Sequence, residues 1–484
     1  MKLSSILSIL SVLVLVALFA GCASVDQDVA ASPKEYWQPV EHSQPAQPLA
    51  LTESPATVSG TDLTLPALID LALDNNPNTR SAWYNAKSAA ARLGETNSQY
   101  YPQITGNFDL DRNKVRTVGL NGSSFGAQTT YSTFIGPSIE INYVLWNFGK
   151  NYAQTESDRQ ALYAANYQYN QQIQDVILAT ELGYFNYDAA LGFVDAAQAT
   201  LNDANTAYKA ASQRLSAGLG TKQEERQAFA QVKNAEFQLE QSQAQVETTR
   251  AQLAQSLGIG VNGNLKIVRS QKPADSVKLD SDISNLMALA MRQRPDLMAA
   301  YAEVLSTEHS LDAAKDDRWP TLSAVSRLTY GYEYGGVTYG NPSNNYMVGL
   351  DLSWKIFTGF EQTYAILDAQ AKADAAKAAL HAQELQVVTD VWNFYYSYKS
   401  ALQQVDSANA QVDAQQEAYN AIQTGYNAGL NSYVDLLTSQ KDLATARQQK
   451  VQAEATLGAA LSNLAHATGG ITVGGSSSGS SSSQ

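Results

Sequence analysis

The residues able to do chemistry are few in this chain of 484, and their spacing excludes most of it. The four histidines, His42, His309, His381 and His466, stand at no metal-ligand spacing. Acid pairs such as Glu224/Glu225 and Asp316/Asp317 could share general-acid and general-base work, but polar helices carry adjacent acids routinely. No glycine-rich phosphate loop follows a strand, and no cysteine is placed as a nucleophile. The pattern predicts no enzyme, no cofactor and no metal. One thiol remains. Cys22 is the only cysteine, so it forms no internal disulfide. It directly follows Leu18-Phe19-Ala20-Gly21, at the end of a largely apolar run from Ile6 that only the charge of Lys2 precedes.

A short apolar run with a small-residue exit reads as an export signal over residues 1–21. With cysteine at the exit it resembles the bacterial lipobox, in which the thiol takes a thioether-linked diacylglycerol. Covalent lipid on Cys22 is therefore expected. Ala23 and Ser24 follow with no adjacent aspartate, the pattern that accompanies passage to the outer membrane. One lipid anchors only modestly. No other run of 18 apolar residues is present, so no spanning helix is expected and any crossing must use strands. The net charge of −14 argues against nucleic acid as a partner.

The elements around these residues occur twice. Tyr208, Ala217, Gly218 and Leu219 lie over Tyr419, Ala428, Gly429 and Leu430, an offset of 211. Ile141, Tyr143, Leu145 and Trp146 lie over Leu352, Trp354, Ile356 and Phe357. Upstream the offset is 218, matching Pro77 to Pro295 and Pro102 to Pro320. The first copy thus carries a seven-residue insertion (218 − 211) between Pro102 and Ile141. The expected organisation is a signal over 1–21, a lipidated extended linker over 22–60, a first repeat over 61–270, a second over 271–468, and a disordered Gly/Ser tail over 469–484.

Each repeat has two textures. Residues 63–100, 150–258, 282–318 and 361–467 are rich in helix formers with almost no proline. A helix from Lys150 to Leu215 would be about 100 Å long. It is polar on most faces, with scattered Ala and Tyr, which suits a thin wall joined along narrow small-residue seams. The other texture alternates with period two. Ile139, Ile141, Tyr143 and Leu145 alternate with Glu140, Asn142 and Val144; Tyr346, Val348, Leu350 and Leu352 alternate with Met347, Gly349 and Asp351. These predict two long hairpins, about 103–146 and 321–357. Segments of nine or ten residues, apolar out and polar in, match strands crossing an outer membrane. Tyr101, Trp146, Trp319 and Trp354 stand at the strand ends, where an aromatic girdle would lie. Four strands cannot close a barrel and open edges are not tolerated in lipid, so the chain must oligomerise. Two chains would give eight strands with a filled interior; three would give twelve and a lumen.

The duplicated Ala-Gly-Leu tips at 217–219 and 428–430, the segments at 143–149 and 354–360, and the two proline pairs together resemble the TolC-like outer-membrane efflux proteins, over residues 61–468. The resemblance implies an α+β membrane protein, internally duplicated. A long α-helical periplasmic barrel would continue into a transmembrane β-barrel completed by trimerisation, four strands per chain and twelve in total. It implies an exit duct of a tripartite efflux or type I secretion system in the outer membrane of a Gram-negative bacterium. The partners implied are a homotrimer, a periplasmic adaptor, an inner-membrane transporter and outer-membrane lipid, with no nucleic acid. By position, Gly218, Leu219, Gly429 and Leu430 would meet the adaptor. Asp435 would form a negative ring at the periplasmic constriction, with Tyr426, Glu224 and Asn431 in the closing network. Asn431 stands where the best-known member has an arginine, and Thr438 where it has a second aspartate. The alternative is a structural coiled-coil envelope lipoprotein without channel activity, which would share the lipid and the helices but not the girdled hairpins.

Overall fold

In the computed structural model, residues 30, 32, 34–37, 63–121, 124–260, 267–268, 282–335 and 338–470 are described. The export signal, Cys22, residues 38–60 and residues 471–484 of the Gly/Ser tail lie outside the described residues. The elements run in chain order as α1 (Leu65–Asn75), α2 (Pro77–Asn97), β1 (Gln103–Asn121), β2 (Ser124–Trp146), α3 (Lys150–Ser216), α4 (Lys222–Ser256), α5 (Ile283–Gln293), α6 (Pro295–Asp316), β3 (Thr321–Gly335), β4 (Thr338–Ser353), α7 (Glu361–Asn427) and α8 (Tyr433–Ala467). The duplication shows in the lengths. α3 and α7 each have 67 residues, and α4 and α8 each have 35. No helix among the described residues is long and apolar enough to cross a membrane.

The chain divides into two units. The first joins residues 87–164 and 300–379 and contains all four strands. They pair antiparallel in the order β1-β2-β3-β4, so β1 and β4 are edges. The insertion lengthens the first hairpin, with strands of 19 and 23 residues against 15 and 16. β4 ends at Ser353, so Ile356 and Phe357, which the predicted hairpin included, lie beyond the strand. The turn that follows explains this, with Gly359 and Phe360 both at positive φ. Phe148 and Gly149 make the corresponding left-handed turn in the first copy. The β2–β3 ladder is interrupted between Ile135↔Tyr332 and Ser138↔Thr329. Pro137 supplies no donor there, and a Cβ on Gly136 would lie 2.3 Å from the Tyr330 carbonyl oxygen.

The second unit holds residues 26–86, 165–299 and 380–484. Its helices pack through small residues. α4 meets α3 at Ala204, Val232 and Ala235. A Cβ on Gly183 would approach Leu253 at 3.2 Å. α8 meets α3 where a Cβ on Gly458 would strike the Phe185 ring at 2.6 Å, and Arg447 holds Asp203 at 2.8 Å. α7 meets α8 through Tyr398, Ala401, Val405, Ala453 and Leu457. Among these four helices the order is therefore α4-α3-α8-α7, with α4 and α7 outermost. Near α5 and α6, Arg294 bridges Asp296 and Asp390. Burial pushes the Asp296 carboxyl up, but the Arg294 bonds, the Leu297 amide and Gln383 together outweigh it and hold it below the usual range.

Within the expected extended linker over 22–60, the described residues are docked on the helices. The Trp37 amide donates to Asn170 at 2.8 Å and its carbonyl accepts from Asn170 at 2.9 Å. Tyr169 donates to the Ser32 carbonyl at 2.7 Å, and the Trp83 indole donates to that of Ala30 at 2.8 Å. Two tryptophans and a tyrosine supply both apolar area and donors, which secures this short segment.

Candidate functional site

Two places follow from the elements: the two-faced sheet and the helix-turn-helix tips. On the sheet, paired residues share a face, so the register tests the predicted alternation. Ile104, Ile141, Ser326 and Val348 form one row, and Gly106, Ile139, Leu328 and Tyr346 another. Phe108, Leu110, Val348, Leu350 and Leu352 are exposed on this face. The opposite face carries Thr105, Glu140, Arg327 and Met347 in one row and Asn142, Val325 and Gly349 in another. There Arg327 pairs with Glu140, and Ser138 donates to Asp109 at 2.9 Å. One face therefore suits hydrocarbon and the other water.

Tyr101, Trp146, Trp319 and Trp354 are all exposed at the helix-joined end of the sheet. Phe148 bridges two of them, 6.1 Å from Trp146 and 5.6 Å from Trp319, and the Trp354 indole donates to the Arg318 carbonyl at 3.1 Å. Asp317, half of a pair that looked routine in the sequence, ties both copies together at this end. It takes Lys150 from the start of α3 and Lys355 after β4, and its carbonyl accepts from Gln362. Burial pushes its carboxyl up, but the two lysines bring it below the usual range.

The tips repeat one geometry. Gly218 and Gly429 sit at φ 75° and 79°, beyond ordinary side-chain preference, and close each turn. Leu219 and Leu430 are exposed, as is Val434. Both acids predicted for the gate serve locally as helix caps. The Glu224 amide donates to the Thr221 hydroxyl while the Thr221 amide donates to the Glu224 carboxylate, a capping box opening α4. Asp435 does the same with Ser432 at the start of α8 and also accepts from the Ser432 hydroxyl at 2.7 Å. These bonds, the side-chain one first, lower the Asp435 pKa.

Tyr426 is buried beneath the tips with Tyr433, their rings 5.9 Å apart. Burial, then the Glu224 charge, raises the Tyr426 pKa against the opposing charge of Arg214. Burial, then Tyr426, pushes Tyr433 up to about 12. Neither hydroxyl has a hydrogen-bond partner among the described residues. Asn431 donates to the Ile422 carbonyl at 3.3 Å and fills the space over Gly425. Among the described residues, the side chains of Tyr426, Asn431, Asp435 and Glu224 form no hydrogen bond with one another.

The residue that links the two tips is one the sequence reading missed. Arg214 at the end of α3 donates to the Tyr426 carbonyl at 2.9 Å and lies 5.0 Å from the Tyr426 ring centre. At the offset of 211, Arg214 and Gly220 correspond to Gly425 and Asn431. The large and small members of the pair are exchanged between copies. A Cβ on Gly220 would meet Arg214, and one on Gly425 would meet Asn431. That exchange was visible in the aligned tips. A groove of about 470 Å³ beside the turn is lined by Lys209, Gln213, Arg214, Ala217, Leu219 and Asn427.

Comparison with known proteins agrees with this geometry. The family model described as outer membrane efflux protein matches residues 68–259 and 286–470. The chain is similar to the probable outer membrane lipoprotein SilC of Salmonella typhimurium, 26% identical over 278 residues, 54% of each chain. It is similar to protein CyaE of Bordetella pertussis, 24% identical over 388 residues, 80% of each chain. The match thus spans about half the length of SilC and more of CyaE. The outer-membrane channel OprN shares the fold at a TM-score of 0.73 and 23% identity, over 84% of this chain and 90% of that one.

Proposed function

The chain belongs to the outer membrane efflux protein family, and from that premise we propose that it is the outer-membrane exit duct of a tripartite export system. Three copies close a twelve-stranded barrel, and substrates pass through it from an inner-membrane transporter and a periplasmic adaptor. The observation that carries the reading is the pair of open edges on a two-faced sheet. β1 and β4 each present unpaired backbone groups beside a face that is largely apolar over its helix-joined part. In lipid every such group must be paired, so β4 of one copy must meet β1 of the next. A coiled-coil tether has no use for a sheet of this kind.

Cys22 carries the thioether lipid in this reading, a secondary anchor beside the barrel; Cys22→Ser should end palmitate incorporation without dispersing the trimer. The exposed Leu219 and Leu430 at the glycine turns are the adaptor contacts. Asp435 from three copies makes a negative ring that attracts cations, with Glu224, Tyr426 and Asn431 around it. The Asp435 cap does not compete with that role, because the Asp435 side chain stays exposed.

The test is a strain that depends on this protein for export. Leu219→Asp with Leu430→Asp should abolish export while the heat-modifiable trimer persists. Undiminished export by that double variant would remove the tips from the partner surface. Plain monomeric migration of the wild type in unheated samples would remove the barrel.

A further inference from the structure

We infer that the first hairpin carries a binding row for the phosphate groups of outer-leaflet glycolipid, formed by Arg112, Lys114 and Arg116. The inference rests on the barrel reading above. The described strands carry four cations, Arg112, Lys114, Arg116 and Arg327. Arg327 is neutralised by Glu140 on the polar face. The other three continue, at every second residue, the face that bears Ile104, Phe108 and Leu110. Arg112 and Lys114 both lie over the Tyr131 ring, 6.0 and 5.4 Å from its centre, which places them on that face. All three are exposed.

No ion pair among the described residues engages any of the three. The nearby acids, Asp109, Asp111, Glu140 and Glu333, occupy the alternate positions. Asp111 lies in one row with Phe134 and Glu333. On β4, which would border β1 in the trimer, Asp351 is the only charged residue, and it belongs to the polar face near the other end. The lipid-facing side of this row is therefore uniformly positive.

Height decides what the row meets. On β2 the apolar face runs from Leu145 to Ile135, ten residue steps, or about 34 Å along the strand. With a tilt near 40° that spans about 26 Å, close to the band of an outer-membrane barrel. The next position on this face, Thr133, pairs with Arg112, and Tyr131 pairs with Lys114. Arg112 thus stands one pleat beyond hydrocarbon, Lys114 two and Arg116 three, each about 5 Å further out. The row thus begins in the headgroup layer at Arg112 and continues outward from it. The opposite end of the sheet leads into the helices, so the row faces the outer leaflet. Two guanidinium groups with an ammonium between them, at about 7 Å intervals, match paired phosphates on a glycolipid headgroup. At the offset of 218 the second hairpin has Tyr330, Tyr332 and Tyr334 on the same face; Tyr334 pairs with Thr133 in the Arg112 row, and Tyr332 pairs with Ile135 at the end of the apolar band. Basic and aromatic patches would then alternate around the trimer.

The experiment uses the purified trimer in detergent with added lipopolysaccharide, or the same glycolipid after enzymatic removal of its phosphates, and reads bound lipid by native mass spectrometry. The wild type should bind the phosphorylated form at least tenfold more tightly. The triple variant Arg112→Gln, Lys114→Gln, Arg116→Gln should lose that preference while remaining a heat-modifiable trimer. Should the variant fail to assemble, a salt titration of the wild type serves instead. Raising salt from 50 to 500 mM must weaken binding of the phosphorylated form and leave the dephosphorylated form unchanged. Equal binding of the two lipids, or a triple variant that binds as the wild type does, overturns the inference and leaves the barrel standing. Absence of a heat-modifiable wild-type trimer overturns the barrel reading first.

Discussion

The long helices α3 and α7 have the same length and come from the same ancestral unit, yet they live in different surroundings. At the offset of 211, Ile177 on α3 is 1% exposed and Val388 on α7 is 39% exposed. Gln174 is 3% exposed, whereas its counterpart Leu385 is 58% exposed. α3 lies between α4 and α8, and α7 packs against α8 from the edge. A polar residue is thus buried in the interior helix, and an apolar one is bare on the edge helix. Tyr364, Leu367, Trp392 and Tyr396 extend the bare series on α7. The sheet has the same asymmetry, because β2 is paired on both sides and β4 on one. Duplication made the two halves alike, and position within the fold made them differ. A second copy seated against α7 and β4 would bury what one chain leaves exposed.

The strongest way to break this comparison is to place charge on each helix in turn. Ile177→Asp buries an unpaired carboxylate, at a cost of several kcal/mol, and folded protein should not accumulate. Leu385→Asp with Trp392→Asp should leave a helical chain by circular dichroism but no trimer by cross-linking. A trimer that tolerates the double variant would mean that α7 faces solvent in the assembly.

The sheet gives a comparison with a smaller expected effect. Leu350→Arg and Ile141→Arg on the apolar face should each cost about 2–4 kcal/mol in denaturant titrations of the folded barrel. Asp351→Arg and Asn142→Arg, on the opposite face, should cost far less. Equal costs on both faces would show that neither face meets lipid.

The tips give the finest contrast, between a residue joining the copies and one acting within its own turn. Arg214→Ala removes a charged hydrogen bond to Tyr426 and should loosen the closed tips by about 2 kcal/mol, seen as higher conductance in planar bilayers. Ser432→Ala removes a cap worth about 1 kcal/mol and should speed hydrogen exchange only in the first turn of α8. Acid should mimic it. The Asp435 pKa is lowered in the folded chain, so its cap is present above the ordinary aspartate range and is lost as pH falls through the lowered value. Asp435→Asn should also reduce cation selectivity and block by multivalent cations. Unchanged selectivity would leave Asp435 a helix cap alone.

Much of this was legible beforehand because it depends on local pattern. Period-two alternation marked both hairpins, and the register keeps Ile141 and Leu350 off the face of Asn142 and Asp351. The glycine turns at 218 and 429 followed from the repeated Ala-Gly-Leu. Arg214 was hidden because its partner, the Tyr426 carbonyl, lies 212 residues away, and a backbone acceptor leaves no side-chain signature. The capping role of Glu224 and Asp435 is written in Thr221 and Ser432, three residues upstream of each. The docking of Ala30, Ser32 and Trp37 was obscured by a surrounding segment rich in proline and small residues, which looks like a tether until Asn170 and Tyr169 stand beside it.

The sequence by itself determined the duplication and the strand faces, since each follows from residue type and spacing along the chain. Only the tertiary structure decided which copy of each element is interior and which is edge. Equivalent segments carry nearly the same local pattern, and burial depends on neighbours that arrive from distant parts of the chain.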